Sequence, residues 1–356
     1  MSLPIVEELT APPEPHDALR AFADVPGVLL LDSARRVEQL GRYSFLTADP
    51  YRLCQLDSPQ FGADPFAEIR GQLDAESDDT LPGLTPFQGG AAGLFSYELG
   101  GCFERLPRAA ADEFQLPAMA VGFYDWVLAW DHDDRRAWII SHGFSETAES
   151  KRCERAAARL RWAVAQLNRS VTSTDGLPSG QGLDATKLAR IRPVPGRREW
   201  LSNFSADEYL RAVERAIEYI YAGDIFQVNL SQRLLHPQHT SPVGLYRDLR
   251  SRNPAPFAGY FAHDDWTVVS ASPERFVKVA DRVVSSRPIK GTRQRQTQPE
   301  ADLFTRDELR ESEKDQAENV MIVDLLRNDL SRVCTPGTIR VPELCRVETY
   351  ETVQHL

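Results

Sequence analysis

Glu274 and Lys290 are the residues whose types and spacing could do covalent chemistry. They lie sixteen residues apart in Ser-Pro-Glu274-Arg-Phe-Val-Lys-Val-Ala-Asp-Arg-Val-Val-Ser-Ser-Arg-Pro-Ile-Lys290-Gly-Thr. Arg275–Ala280 and Val283–Ser286 are β-branched runs separated by Asp281-Arg282, a pattern that predicts an antiparallel hairpin. If Ala280 pairs with Val283, Glu274 and Lys290 fall one residue off each other, and with a three-residue loop they fall directly opposite, where the ladder opens. Pro273 and Pro288 stop the pairing near that point, because proline donates no ladder hydrogen bond. Gly291 beside the amine permits close backbone approach. An acid is thereby held next to a potential amine nucleophile. A surface ion pair, worth little, is the other reading that the spacing allows.

The elements that must position this pair follow from pattern. Ser205-Ala-Asp-Glu208 is a capping box opening a helix with Leu210, Val213, Ile217 and Ile220 on one face, closed at Gly223. Asp224–Arg233 then reads as a strand carrying Gln227. Pro242–Ser251 predicts a helix ended by Asn-Pro-Ala-Pro256-Phe257, where two prolines fix the loop. Strands over Ala258–Ala262 and Thr267–Ser270 lead into the hairpin. Glu300–Leu330 reads as one long helix, charged early and apolar late, with Glu318 at the edge of its buried face.

Upstream, Leu-Leu-Asp32-Ser33 and Gly41-Arg42-Tyr43-Ser44-Phe45-Leu predict two strands about a charged loop. Asp64–Leu73 predicts a short helix. Gly89–Glu98 has glycines but lacks the Gly-Lys-Ser/Thr ending of a phosphate loop, and reads as a closely packed strand. Ala120–Trp130 and Arg136–Ser141 predict a hairpin across Asp131–Arg135, and Glu146–Asn168 a helix with Ala156, Leu160 and Ala163 on its apolar face. Arg169–Pro195 is rich in Ser, Thr, Gly and Pro without periodicity. The expected organisation is an N-terminal region 1–168, a linker 169–200 and a catalytic region 201–356. Many β-branched runs among few long helices predict an α+β fold, with antiparallel β-sheets packed face to face and helices on the outside.

Net charge of −11 argues against nucleic acid as a partner. No apolar run has transmembrane length, and the acidic first residues do not resemble a signal peptide, so no membrane role is expected. Five scattered cysteines fit thiols in a reducing, cytoplasmic setting. Seven histidines are dispersed along the chain, and no His-rich metal cluster is expected.

Pro288-Ile-Lys290-Gly-Thr292, with Ser272-Pro-Glu274 before it and Glu318-Asn-Val-Met-Ile-Val-Asp-Leu325 after it, resembles the chorismate-utilising enzymes. Within them it is similar to the aminodeoxychorismate synthase large subunits (component I). The resemblance covers most of the chain and is densest over Ser205–His355. Anthranilate synthases of this superfamily have Ala where Lys290 stands, so the lysine argues against the anthranilate and isochorismate branches. The resemblance implies that Lys290 attacks C2 of chorismate while the C4 hydroxyl leaves, protonated by Glu274. Ammonia from a glutamine amidotransferase then adds at C4 and Lys290 is expelled. The product, 4-amino-4-deoxychorismate, opens the para-aminobenzoate branch of folate synthesis. The resemblance further implies that Gly291, Thr292 and Gln227 touch substrate, that His355 belongs to the active site, and that Glu318 binds Mg²⁺ facing a substrate carboxylate.

It also implies an L-tryptophan pocket built from Ser33, Arg42, Tyr43, Ser44 and Phe45 with Pro256, Phe257 and Ala258. Aromatic rings there suit an indole face, and hydroxyls suit its ammonium or carboxylate. One departure stands out. The family continues beyond the position of Leu356 with a Gly-Ala-Pro-Lys segment, further strands, a carboxylate-binding Arg and a second Mg²⁺-binding Glu. The stretch as given is therefore expected to hold Mg²⁺ weakly and to be inactive and poorly soluble alone. Two readings from other classes compete. A pyridoxal-phosphate lysine at Lys290 would need a phosphate cup, for which no motif is present. A non-catalytic chain would only bind tryptophan or the amidotransferase.

Overall fold

The computed structural model describes residues 4–36, 40–76, 80–107, 112–169, 188, 191–349 and 353–356. Most of the expected linker at 169–200 lies outside these residues. A seven-stranded antiparallel sheet runs in the order Ile5–Glu8, Arg136–Ser141, Trp126–Asp131, Tyr43–Thr47, Leu29–Asp32, Phe257–His263, Trp266–Ser272. Its strands come from both sides of the 169–200 segment.

Alternation along the strands decides what each face meets. Leu30, Leu46, Trp126 and Leu128 turn to one face, where they bury against Leu19, Leu160 and Tyr246. Those three come from the helices Pro15–Ala21, Glu149–Leu167 and Pro242–Arg252. On the opposite face Leu29 and Phe261 pack against Ala120 and Tyr124 of a second sheet, ordered Arg52–Leu56, Met119–Tyr124, Gly90–Phe95. The result is the expected α+β arrangement of antiparallel sheets face to face with helices outside. The glycine-rich stretch is a closely packed strand: a Cβ on Gly93 would lie 2.1 Å from the Ala120 carbonyl oxygen.

Local signals hold where they concern one element. Ser205 and Glu208 exchange both capping-box hydrogen bonds, and the helix Ala206–Ala222 stops at Gly223 with φ 79°. Three expectations fail, each for a reason beyond the local pattern. Ala120–Trp130 is two strands, because the chain breaks at Asp125 and passes from one sheet to the other. The fully buried Asp125 carboxylate accepts from Arg155 Nε at 2.5 Å and Arg159 Nε at 3.2 Å, partners that a buried charge requires. Asp224–Arg233 is irregular; among the described residues no strand pairs with it, and only Leu234–Leu235 joins a ladder. Glu300–Leu330 is two helices, Pro299–Glu311 and Glu313–Ser331. Ser312 divides them with ψ 105° and caps the second by accepting from the Asp315 N–H.

Candidate functional site

The hairpin forms with a two-residue turn, Asp281 and Arg282 both having positive φ, 49° and 62°. Ala280 pairs with Val283 and Lys278 with Ser285, but a bulge then moves the register so that Arg275 faces Arg287. This one-residue slip is absent from simple strand counting. Beyond that slip the Glu274 carboxylate accepts from the Ile289 N–H at 3.1 Å, one residue before Lys290. Ser272 steadies Glu274, its hydroxyl accepting from the Glu274 N–H at 3.3 Å and donating to its carbonyl at 3.1 Å. Lys290 is half-buried, and its backbone exchanges two hydrogen bonds with Leu356, at 2.8 and 2.9 Å. Those bonds continue a three-stranded sheet of Thr292–Gln294, Val353–His355 and Glu348–Thr349. Lys290 therefore sits where two small sheets meet.

From that second sheet His355 pairs with Thr292. His355 Nδ1 lies 3.3 Å from the Gly291 carbonyl and 2.9 Å from Thr292 Oγ1. A carbonyl only accepts, so Nδ1 carries the proton and Thr292 accepts it, which turns the threonine hydroxyl proton away from the imidazole. Burial pushes the His355 pKa down, while the Gly291 carbonyl and the charges of Glu348 and Glu274 oppose the shift. Glu274 is thus within electrostatic reach of His355, and Lys290 lies between them in the chain's path. Glu348 in turn is paired with Arg287.

Gly291 anchors this corner to the helices. Its φ is +61°, and a Cβ there would come within 3.0 Å of both Asp315 Cβ and Leu309 Cδ1. Gly291→Ala is expected to cost about 2–3 kcal/mol, from overpacking plus the left-handed backbone. Urea denaturation checks this, and a loss below about 0.5 kcal/mol would show that the corner yields.

On the helix Glu313–Ser331, Asp315 and Asn319 are buried. Asp315 accepts from Arg293 at 2.9 Å and Asn319 from the Cys345 thiol at 3.7 Å. Glu318, to one side of that buried face, keeps its side chain 39% exposed, with Lys314 Nζ at 3.9 Å. A carboxylate open to water suits Mg²⁺, which prefers oxygen ligands and retains several waters, so Glu318 fits that role. Gln227 is half-buried in the irregular segment, and no described contact links it to Glu274 or Lys290.

The residues expected around tryptophan gather at one end of the large sheet. Leu31 pairs with Phe45 and Asp32 with Ala258, which places Tyr43–Phe45, Asp32–Ser33 and Pro256–Ala258 side by side. Phe45 stands 6.2 Å from the Tyr43 ring and edge-on to Phe87 at 5.6 Å. Arg42 lies over the Tyr43 ring and pairs with Asp131 at 2.7 Å. The serine hydroxyls are already engaged. Ser33 Oγ donates to the Tyr43 carbonyl at 2.5 Å, and Ser44 Oγ donates to Asp32 at 3.1 Å. Arg36 donates to His132 Nδ1 at 3.1 Å, so His132 Nε2 carries the proton and donates to Ser44 Oγ at 2.7 Å. With the Ser33 N–H also donating to it at 3.0 Å, Ser44 has no bonding capacity left over. Burial, then Arg36, holds the His132 pKa low.

Sequence reading missed the centre of this network. Asp32, fully buried, accepts from Tyr246 at 2.8 Å and Arg250 at 2.7 Å, across more than two hundred residues. The signal available was an aspartate inside an apolar run. Its partners could not be read locally.

Residues 28–356 match the family model described as chorismate binding enzyme. Aminodeoxychorismate synthase component 1 of Klebsiella aerogenes is 40% identical over 93% of this chain and 69% of the relative. Anthranilate synthase component 1 of Streptomyces coelicolor is 38% identical over 94% of this chain and 64% of the relative. The solved anthranilate synthase component I of Streptococcus pneumoniae superposes with a TM-score of 0.68 at 22% identity, over 90% of this chain and 70% of that one. That likeness concerns the fold alone.

Proposed function

The chain belongs to the chorismate binding enzymes, and from that membership we propose that it aminates chorismate at C4 to give 4-amino-4-deoxychorismate. The observation that carries this reading is Lys290 at the meeting of two sheets, with the Glu274 carboxylate bound one residue away. Lys290 Nζ attacks C2, the ring double bond shifts, and the C4–O bond breaks as Glu274 delivers the proton that lets the oxygen leave as water. Ammonia adds at C4, the C2–N bond breaks, and the amine of Lys290 is returned. Thr292, oriented by His355, presents its hydroxyl proton to a substrate oxygen. Glu318 is the residue that would hold Mg²⁺, which when bound supplies positive charge opposite a substrate carboxylate.

The component 1 names of the relatives support a second subunit, a glutamine amidotransferase, as the ammonia source. The aromatic end of the large sheet is proposed to take L-tryptophan against Tyr43, Phe45 and Phe257. Five cysteines, with no disulfide among the described residues, accord with a reducing cytoplasm. No helix among the described residues is long and apolar enough to cross a membrane.

A second reading, anthranilate formation, is favoured by relatives such as the Streptomyces coelicolor protein. Incubation with chorismate, Mg²⁺ and ammonium distinguishes the two by product. Magnetic resonance should show 4-amino-4-deoxychorismate; release of pyruvate with fluorescent anthranilate would replace this reading by the second.

A further inference from the structure

Two of the seven histidines, His236 and His239, meet a carboxylate, Glu199, from about 40 residues earlier in the chain. Leu201 pairs with Leu235 and Ser202 with Leu234. One step further along this ladder Trp200 stands beside His236, their rings 5.0 Å apart, and Glu199 comes beside the His236–His239 turn. Glu199 Oε2 lies 3.7 Å from His239 Nε2, and the rings of His236 and His239 meet edge-on at 5.3 Å. Each of the three side chains offers a ligand atom within 4.8 Å of the other two.

We propose that Glu199, His236 and His239 form a surface site for a divalent transition metal of the zinc class. His236 Nδ1 lies 2.7 Å from the Pro237 carbonyl. That oxygen can only accept, so the proton is on Nδ1 and Nε2 offers its lone pair outward. A backbone carbonyl fixing a metal-binding imidazole in this way is the usual support for such a ligand. The turn is braced on both sides: Gln238 donates to the Thr240 carbonyl at 2.8 Å, and Ser241 caps the following helix by accepting from Gly244 at 3.0 Å. In a tetrahedral zinc site, bonds of about 2.0–2.1 Å put ligand atoms roughly 3.3 Å apart. The Glu199–His239 separation is near that value, and rotation of exposed side chains closes the rest. Two imidazoles and one carboxylate select zinc-class ions over Mg²⁺, which takes oxygen ligands, and leave one position for water. The site is separate from Glu318 in residues and in chemistry.

Calorimetric titration of the chain with Zn²⁺, in millimolar Mg²⁺, tests the assignment. One ion should bind per chain and Mg²⁺ should not displace it. His239→Gln, at an exposed position with no core role, should weaken binding at least about tenfold, and His236→Ala with His239→Ala should abolish it. Co²⁺ substituted for Zn²⁺ should give a tetrahedral visible absorption band in the unsubstituted chain that the double variant lacks. Circular dichroism without metal should be the same for all three proteins. Zn²⁺ binding of equal strength in the double variant, or no zinc binding by the unsubstituted chain, would overturn the proposal.

Discussion

Lys290→Ala is expected to remove formation of 4-amino-4-deoxychorismate to below detection, without unfolding the protein. Lys290 enters the fold through its backbone, whose N–H and carbonyl both pair with Leu356. Alanine keeps those two bonds, so the sheet junction should persist. What disappears is the only lysine amine in the Pro-Ile-Lys-Gly-Thr segment beside the Glu274 carboxylate. Glu274→Gln should fail differently. Glutamine still accepts from the Ile289 N–H but cannot deliver a proton, and loss of a general acid lowers turnover by about 10²–10⁴-fold. Chorismate binding should largely survive in Glu274→Gln, because the acid acts mainly in the transition state. Turnover with ammonium beside the unsubstituted protein, and chorismate binding by calorimetry, separate these outcomes. Substantial retained turnover in Lys290→Ala would show that the covalent role is wrong.

The largest expected loss of stability is at Asp32. Its side chain is fully buried and accepts three hydrogen bonds: one from Ser44, one from Tyr246 and one from the Arg250 guanidinium. These tie the sheet to the helix Pro242–Arg252 across the core. Asp32→Asn keeps the shape but turns a donor toward donors and leaves the Arg250 charge, largely buried, without its counter-ion. Breaking one side of a buried ion pair costs about 3–5 kcal/mol, far more than an exposed pair returns. Urea denaturation should show a lower midpoint with an unchanged slope. Adding Arg250→Met should recover part of the loss, since the stranded charge is then gone. A cost under about 1 kcal/mol for Asp32→Asn would mean that water reaches the site and replaces the partners.

Much of this protein is legible in its sequence, wherever a feature closes within a few residues. The capping box at Ser205–Glu208, the stop at Gly223 and the two-residue turn at Asp281-Arg282 are settled by local backbone chemistry, and the structure shows each as expected. The hairpin that brings Glu274 toward Lys290 belongs to the same class, because its strands are separated by two residues. What lies between distant segments was decided by tertiary structure alone. The bulge that sets Arg275 against Arg287, and the bond from the Ile289 N–H to the Glu274 carboxylate, are not coded by the two-residue turn. The break at Asp125 exists because Arg155 and Arg159 on a later helix come to meet a buried carboxylate. Asp224–Arg233 has a strand's composition, yet among the described residues no strand pairs along it, Arg233 at its end meeting Asn203, and a strand without a partner cannot satisfy its backbone. Asp32 with Arg250, and Glu199 with His236 and His239, are pairings across 218 and about 40 residues respectively. A sequence carries the chemistry of each partner. Only the packed sheets determine which partners meet, because long-range contacts are chosen by the fold's global free energy and not by any window of neighbours.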